Sequence, residues 1–345
     1  MFARLAAMKR QRTRAPAGPP FLHVIEPTPE RLPPAPAQPS DLPTTRTGYV
    51  ALVGQPNAGK STLLNRFVGE HLSIVTPKAQ TTWQRVTGLL TVDSDQLVFL
   101  DTPGILEARD LLQRSMLAAA LEALSEADVV LLVVDGTRTP TPRDEERILA
   151  ALGGVVAPVH VALNKVDAAA ADALGAWEAW ITDRLGHSTH RVSATDGTGT
   201  DALLDALRAD LPEGPFLYPE DEIATDPVRF FVAELVRETI FEQFHQEIPY
   251  SVFCQVEEFR ETQDPVYILM TVFVEHASQK GMLIGKGGAA IRALGRTARE
   301  KIEHFLGRSV YLDLWVKPLK SWRRSRAHLG RLGFRLPAED DTEGR

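Results

Sequence analysis

Cysteine is almost absent. Cys254 is the single one in 345 residues, which excludes an internal disulfide framework and a cysteine-built zinc site. Long apolar runs are missing too. The longest candidates, around residues 129–134 and 266–274, have strand length and fall well short of the roughly 18 apolar residues of a spanning helix. The nine histidines are scattered without metal-ligand spacing, and no internal repeat is visible. What is present is ordinary for a folded chain. Apolar residues make up 44% and charged residues 24%, which excludes a wholly disordered or fibrous protein, and the length suits two or three domains. The chain reads as soluble and intracellular.

The net charge of −7 is unevenly spread. Residues 1–47 carry +4, residues 48–275 carry −19, residues 276–335 carry +11 and residues 336–345 carry −3. An acidic body with a basic C-terminal block suits a protein that docks one part on a polyanion; a solvated basic helix face is the plainer alternative. Residues 1–47 hold ten of the 24 prolines and no sustained apolar period, so they read as a disordered arm. Its first sixteen residues are arginine-rich and acid-free. That composition suits either a basic bacterial tail, which is favoured, or an organellar transit peptide.

From Gly48 short apolar runs alternate with helix-length segments, the signature of βαβ crossovers and a largely parallel sheet. This α/β unit spans residues 48–211. Residues 212–227, rich in proline and acids, read as an interdomain linker. Beyond it the expected order is helix, strand, strand, helix, glycine turn, helix, strand, a smaller α+β unit over residues 228–336. An acidic tail, 337–345, closes the chain.

Residues 54–61, GQPNAGKS, follow a predicted strand and precede a predicted helix, the context that makes G-x-x-x-x-G-K-[ST] a phosphate loop. Gly54 and Gly59 let backbone N–H groups turn toward phosphate, with Asn57, Ala58 and Thr62 in the same cradle, and the helix adds its positive end. Lys60 supplies charge to the β- and γ-phosphates and Ser61 a hydroxyl to Mg²⁺. Asp101-Thr-Pro-Gly104 closes a second strand, where Asp101 can reach Mg²⁺ through water and the Gly104 N–H can meet a γ-phosphate. Asn164-Lys165-Val166-Asp167 closes a later one. The Asp167 carboxylate can accept both the N1–H and the amino group of guanine, a donor pair adenine lacks. The Lys165 stem can cover the base, and Ser193-Ala194 can offer a backbone N–H to guanine O6. Four such motifs in order at strand ends indicate a guanine nucleotide site.

In that order the motifs resemble the translation-factor-related P-loop GTPases, and residues 74–88, IVTPKAQTTWQRVTG, resemble the switch segment of the Era GTPases. The resemblance implies a Ras-like GTPase domain followed by a type II KH domain, and hydrolysis of GTP with Mg²⁺. Within that family a switch threonine contacts the metal: Thr82 is the better match and Thr81 the second, with Lys60, Thr82 and Gly104 as the catalytic set. Trp83 departs from the pattern, where arginine is expected. Ile105 stands where Ras-like proteins carry the water-orienting glutamine, so intrinsic turnover is expected to be slow. Asn57 matches an asparagine that related GTPases use to hold potassium.

In the basic block, Gly285-Lys286-Gly287-Gly288 forms a G-x-x-G loop between helical stretches, the element with which KH domains clamp about four nucleotides. Lys286 adds charge, Ile284 and Ile291 a floor for bases, and Arg292, Lys317, Lys320 and Arg323 further cations. By the resemblance, the partners are small-subunit (16S-type) ribosomal RNA near its 3′ end and the small ribosomal subunit, whose assembly the protein assists. A monomer in the bacterial cytoplasm is expected, with peripheral association at the inner membrane. The alternative is a nucleotide-gated RNA- or membrane-associated switch with little hydrolysis.

Overall fold

In the computed structural model of the chain, residues 44–105 and 108–336 are described. The first unit runs β1 (Arg46–Gly54), α1 (Lys60–Val68), β2 (Val86–Val92), β3 (Asp95–Asp101), α2 (Leu111–Glu126), β4 (Val129–Asp135), α3 (Pro142–Leu152), β5 (Val159–Asn164), α4 (Ala171–Leu185), β6 (Thr189–Arg191) and α5 (Thr200–Ala209). Its six strands are ordered β2-β3-β1-β4-β5-β6. Every neighbouring pair is parallel except β2 and β3. Helices cover both faces, so the central strands are apolar on both sides; Val50–Val53 and Val129–Val134 are fully buried. A parallel sheet of this kind gathers the loops after its strands along one edge, where ligands bind. That edge receives the glycine loop after β1, Asp101 at the end of β3, Asn164 at the end of β5 and Ser193 just past β6. The unit is the expected Ras-like P-loop domain.

The second unit runs α6 (Val228–Gln243), α7 (Ile248–Ser251), β7 (Val252–Arg260), β8 (Val266–Val274), α8 (Ala277–Ile284), a 3₁₀ turn at Lys286–Gly288, α9 (Ala289–Leu306) and β9 (Val310–Pro318). A second 3₁₀ turn, Trp322–Arg324, and α10 (Arg326–Arg331) follow. β7 and β8 are antiparallel, β8 and β9 parallel. One face of this sheet buries Val252, Ile268, Met270 and Val272 against Val236, Leu294 and Ile302 of α6 and α9. This is the expected KH order.

Three features differ from the sequence reading. The first strand starts at Arg46, inside the residues assigned to the arm, because Arg46 pairs with the buried Asp95 at 2.8 Å and runs parallel to β3. The remainder of the expected arm, residues 1–43, and the expected tail, 337–345, lie outside the described residues. Residues 212–227 are strapped to the first sheet instead of hanging between domains. The Gln96 side chain accepts from the N–H groups of Leu217 and Tyr218, and Ile223 O accepts from Leu89 N at 2.8 Å. The reason is β2, a strand the sequence reading omitted. As an edge strand it exposes N–H groups that need acceptors, and the strap supplies them, including the Asp226 carboxylate on Thr87 N.

The two units share a buried junction. Trp83, Leu111, Leu112 and Met116 of the first pack against Trp322, Leu329, Leu332 and Phe334 of the second. Among the described residues no helix is long and apolar enough to cross a membrane.

Candidate functional site

The glycine loop is braced by its own lysine. Lys60 is buried, and its Nζ donates to the carbonyls of Gly54 at 3.2 Å and Gln55 at 3.0 Å. Burial pushes its ammonium down to about 8, opposed by the charge of Asp101. Asp101 is equally buried. Burial raises its carboxyl, while Lys60 and the Ser61 hydrogen bond hold it down. The Ser61 hydroxyl donates to Asp101 Oδ2 at 2.7 Å and lies 3.1 Å from the Thr82 hydroxyl oxygen. Asp101 Oδ1 is buried without a partner. Three hard oxygen donors from three different elements therefore meet, one with an unused lone-pair site, which fits a magnesium ion. Thr81 points its carbonyl away from this point, toward Arg237.

Gly59 sits at φ +97, and a Cβ there would lie 2.2 Å from Asn164 Nδ2. That close approach has a purpose. Asn164 Nδ2 donates to Ala58 O at 2.8 Å, and its Oδ1 accepts from Ala194 N at 3.0 Å. Asn164 thus ties the phosphate loop to the loop after β6. Ser193 N donates to Thr198 O at 2.9 Å. Both N–H groups of the Ser193-Ala194 pair are engaged within the protein, so the expected donor to a guanine O6 is not presented outward here. Lys165, at φ +67, donates to Asp135 Oδ2 at 2.6 Å, and Asp167 stands exposed beyond it.

A cavity of about 310 Å³ runs between the glycine loop, residues 74–77, residues 80–82, Gly104 and Lys165. Thr62 is among its lining residues. Asn57, at φ +64, donates from its side chain to Pro77 O at 3.0 Å across one end. Gly104 lies against the loop, where a Cβ would come 2.6 Å from Pro56 N. Ile105 turns into the core beside Ala51 and Leu132, and its N–H donates to Gly54 O at 3.0 Å. An apolar side chain so buried orients no water.

In the second unit Gly285 (φ +70) ends α8 and Gly288 (φ +76) begins α9. Between them the chain turns in a way side chains resist, and Lys286 and Gly287 are left exposed. Arg292 lies beside Gly288, and Ile284 and Ile291 are half-buried under the loop. Lys317 and Lys320 are exposed at and beyond the end of β9, with the Lys317 ammonium 5.9 Å from the Trp315 ring centroid. Arg323, expected among the nucleic-acid contacts, is engaged within the protein. Its guanidinium pairs with Asp110 of the first unit at 2.7 Å; Asp110 also caps α2, so this cation serves the junction. The sequence reading also missed the residues that grip the switch segment, chiefly Arg237, Glu238 and Trp322. The departure at Trp83 was the one signal pointing to them.

Among the described residues no cluster of histidine, cysteine and carboxylates suits a transition metal.

Comparisons with known proteins agree with this geometry. A family model described as a 50S ribosome-binding GTPase matches residues 49–165, and a KH domain model matches residues 247–323. The chain is 40% identical over 292 residues to the GTPase Era of Geobacter metallireducens, covering 84% of this chain and 98% of that protein. Era of Carboxydothermus hydrogenoformans gives the same identity and coverage. Among solved structures, a point variant of Aquifex aeolicus Era bound to GDP·AlF₄⁻ is 37% identical with a TM-score of 0.80, covering 85% of this chain and all of that one. An Era structure in complex with MgGDPNP and nucleotides 1506–1542 of 16S ribosomal RNA matches with the same figures.

Proposed function

The chain belongs to the Era family of GTPases, and from that premise we propose that it hydrolyses GTP at the described cavity and uses its KH loop to bind small-subunit ribosomal RNA near the 3′ end. The observation that carries this reading is the convergence of Lys60, Ser61 and Thr82 on one cavity, with Asp101 buried behind them on the Ser61 hydroxyl, in a chain that also presents an exposed G-x-x-G loop.

Gly54, Asn57, Ala58, Gly59 and Thr62 would cradle the phosphates through backbone and side-chain donors, with Lys60 as the buried cation beside them. Ser61, Thr82 and Asp101 would hold magnesium, which when bound neutralises charge on the β- and γ-phosphates. Gly104 would face the γ-phosphate. Asp167 would accept the two guanine donors, Lys165 would lie along the base, and Asn164 with Ser193 and Ala194 would fix the pocket floor. With Ile105 buried, the switch backbone must orient the attacking water, and intrinsic turnover is slow, as for small GTPases lacking a partner's arginine.

Potassium is the second cation of the proposal. The Asn57 amide and the Pro77 carbonyl already meet across the cavity mouth, and both carry oxygens that suit a monovalent ion. Hydrolysis is expected to run several-fold faster in potassium than in sodium at equal ionic strength, a difference Asn57→Ala removes. Equal rates in the two salts contradict it.

On RNA, backbone of the Gly285–Gly288 loop and the side chains of Lys286 and Arg292 would clamp phosphates. Ile284 and Ile291 would lie under bases, and Lys317 and Lys320 would add charge. Binding of a 16S 3′-terminal fragment should weaken by about 10²-fold or more in Lys286→Asp/Gly287→Asp, with a shallower salt dependence, since a phosphate-neutralising cation is lost. Filter binding across a salt series checks this. Unchanged affinity would remove the loop from the interface. The role in assembling the small ribosomal subunit follows from the family.

A further inference from the structure

The switch segment that presents Thr82 does not stand free beside the nucleotide cavity. The second domain holds it. Arg237, on α6, is 2% exposed. Its Nε and Nη2 grip both oxygens of Glu234, at 2.8 and 2.5 Å. Nη2 also donates to the carbonyl of Thr81, the residue before the proposed metal ligand. The same guanidinium lies 4.7 Å from the Trp83 ring centroid and 5.6 Å from that of Phe241. Trp83 is therefore fixed on two sides, by Arg237 and by Trp322 at 5.7 Å. Trp322 is in turn buried and anchored to Ser251 O at 3.1 Å. The Trp83 indole N–H donates to Gln80 O at 2.9 Å, closing the turn from Gln80 to Trp83 into one unit. Thr82, inside that unit, lies 3.1 Å from Ser61.

Burying a guanidinium in this way is expensive. Its Nη1 has no partner, and an apolar side chain of similar volume would fill the space at no electrostatic cost. A domain junction needing only apolar cover for Trp83 has no use for a cation there. What the cation adds is direction: a planar donor aimed at one carbonyl, with a flat face for one ring.

Neighbouring contacts on α6 act on the same segment. The Glu238 carboxylate accepts from His71 Nε2 at 2.9 Å, from Val75 N at 3.2 Å and from Lys301 Nζ at 2.8 Å. Lys78 donates to the carbonyls of Phe241 and Phe244 at the helix end. Residues 71–83 are held along their length by one helix of the other domain.

We propose that Arg237 is a positioning residue for GTP hydrolysis: by fixing the Thr81 carbonyl and the Trp83 ring it keeps the Thr82 hydroxyl beside Ser61. The KH domain then supplies in cis part of the geometry of the GTPase site. This rests on the reading of Thr82 as a metal contact.

The test is single-turnover GTP hydrolysis by the full chain, with GDP affinity measured in parallel. Arg237→Met fills the same volume and keeps a cover on Trp83, but it removes the donor. It is expected to lower the single-turnover rate ten- to hundredfold, the scale of small misplacements in an active site, and to change GDP affinity less than about twofold. Arg237→Lys, which retains a donor, should recover part of the rate. Thr82→Ala separates the two claims. If Thr82→Ala is inactive while Arg237→Met turns over like wild type, the positioning role is wrong and the Thr82 reading stands. If Thr82→Ala keeps its rate, the Thr82 reading fails and the proposal with it. A loss of GDP affinity in Arg237→Met in proportion to the loss of rate, unrelieved by lysine, would make Arg237 a structural residue and overturn the proposal.

Discussion

Asp167→Asn is expected to reverse the base preference of the site. The carboxylate can accept two hydrogen bonds, and guanine offers two donors, N1–H and the 2-amino group. Asparagine replaces one acceptor with a donor that faces the guanine amino group, so one bond is lost and one repulsion gained. Sites that lose a built-for hydrogen bond reject their ligand by about 10⁴-fold in strong cases, and we expect GTP affinity to fall by about 10²–10³. Xanthine carries a carbonyl where guanine has the amino group and suits the asparagine, so xanthosine triphosphate should become the preferred substrate. Asp167 is exposed, which means the fold should tolerate the change. Equal affinities of wild type and Asp167→Asn for GTP, measured by nucleotide competition, would place the base elsewhere.

Lys60→Ala is the second large effect. One positioned donor to developing negative charge in a water-poor site is worth about 10²–10³ in rate, and here the donor also contributes to binding. A fall of about 10³ or more in kcat/KM is expected. Stability should move the other way. Lys60 in the folded protein has its ammonium pushed from 10.5 to about 8. The charged form is therefore disfavoured by folding, at a cost on the order of 3 kcal/mol near neutral pH. That cost is present below about 8 and is relieved as pH rises through the interval between about 8 and 10.5. Removing the ammonium eliminates it but leaves the Gly54 and Gln55 carbonyls without their donor. The apo variant should thus melt at or above the wild-type temperature, as thermal denaturation can check. An inactive Lys60→Ala protein that is also unfolded would contradict this division between function and stability.

These two residues were legible in the sequence because their chemistry is local. A phosphate loop and an N-K-x-D turn each complete their geometry within eight residues, and the strand before each announces its place at the sheet edge. The KH order was legible for the same reason: each element carries its own apolar period and the glycine loop punctuates them. What lies between the domains was not. Arg237 sits mid-helix among residues that read as ordinary core, and its partners, Thr81 and Trp83, are more than 150 residues away. Spacing carries no trace of such a contact. The Arg323 contact was hidden on similar grounds, since composition counts a cation but does not show that Asp110 waits opposite. The 212–227 strap has the composition of a tether. Only the edge of β2 reveals why it is pinned, and β2 itself follows directly on a switch segment whose motif obscured its strand pattern.

The proposed function places a guanine nucleotide site and an RNA-binding loop in one chain and expects the two to be coupled. That coupling is read out by retention of small-subunit ribosomal RNA on the purified full chain loaded with GDP or with a non-hydrolysable GTP analogue, for wild type and for Lys286→Asp/Gly287→Asp. Retention should be stronger with the GTP analogue and lost in the loop variant. Retention indifferent to both the nucleotide and the loop would contradict the coupling.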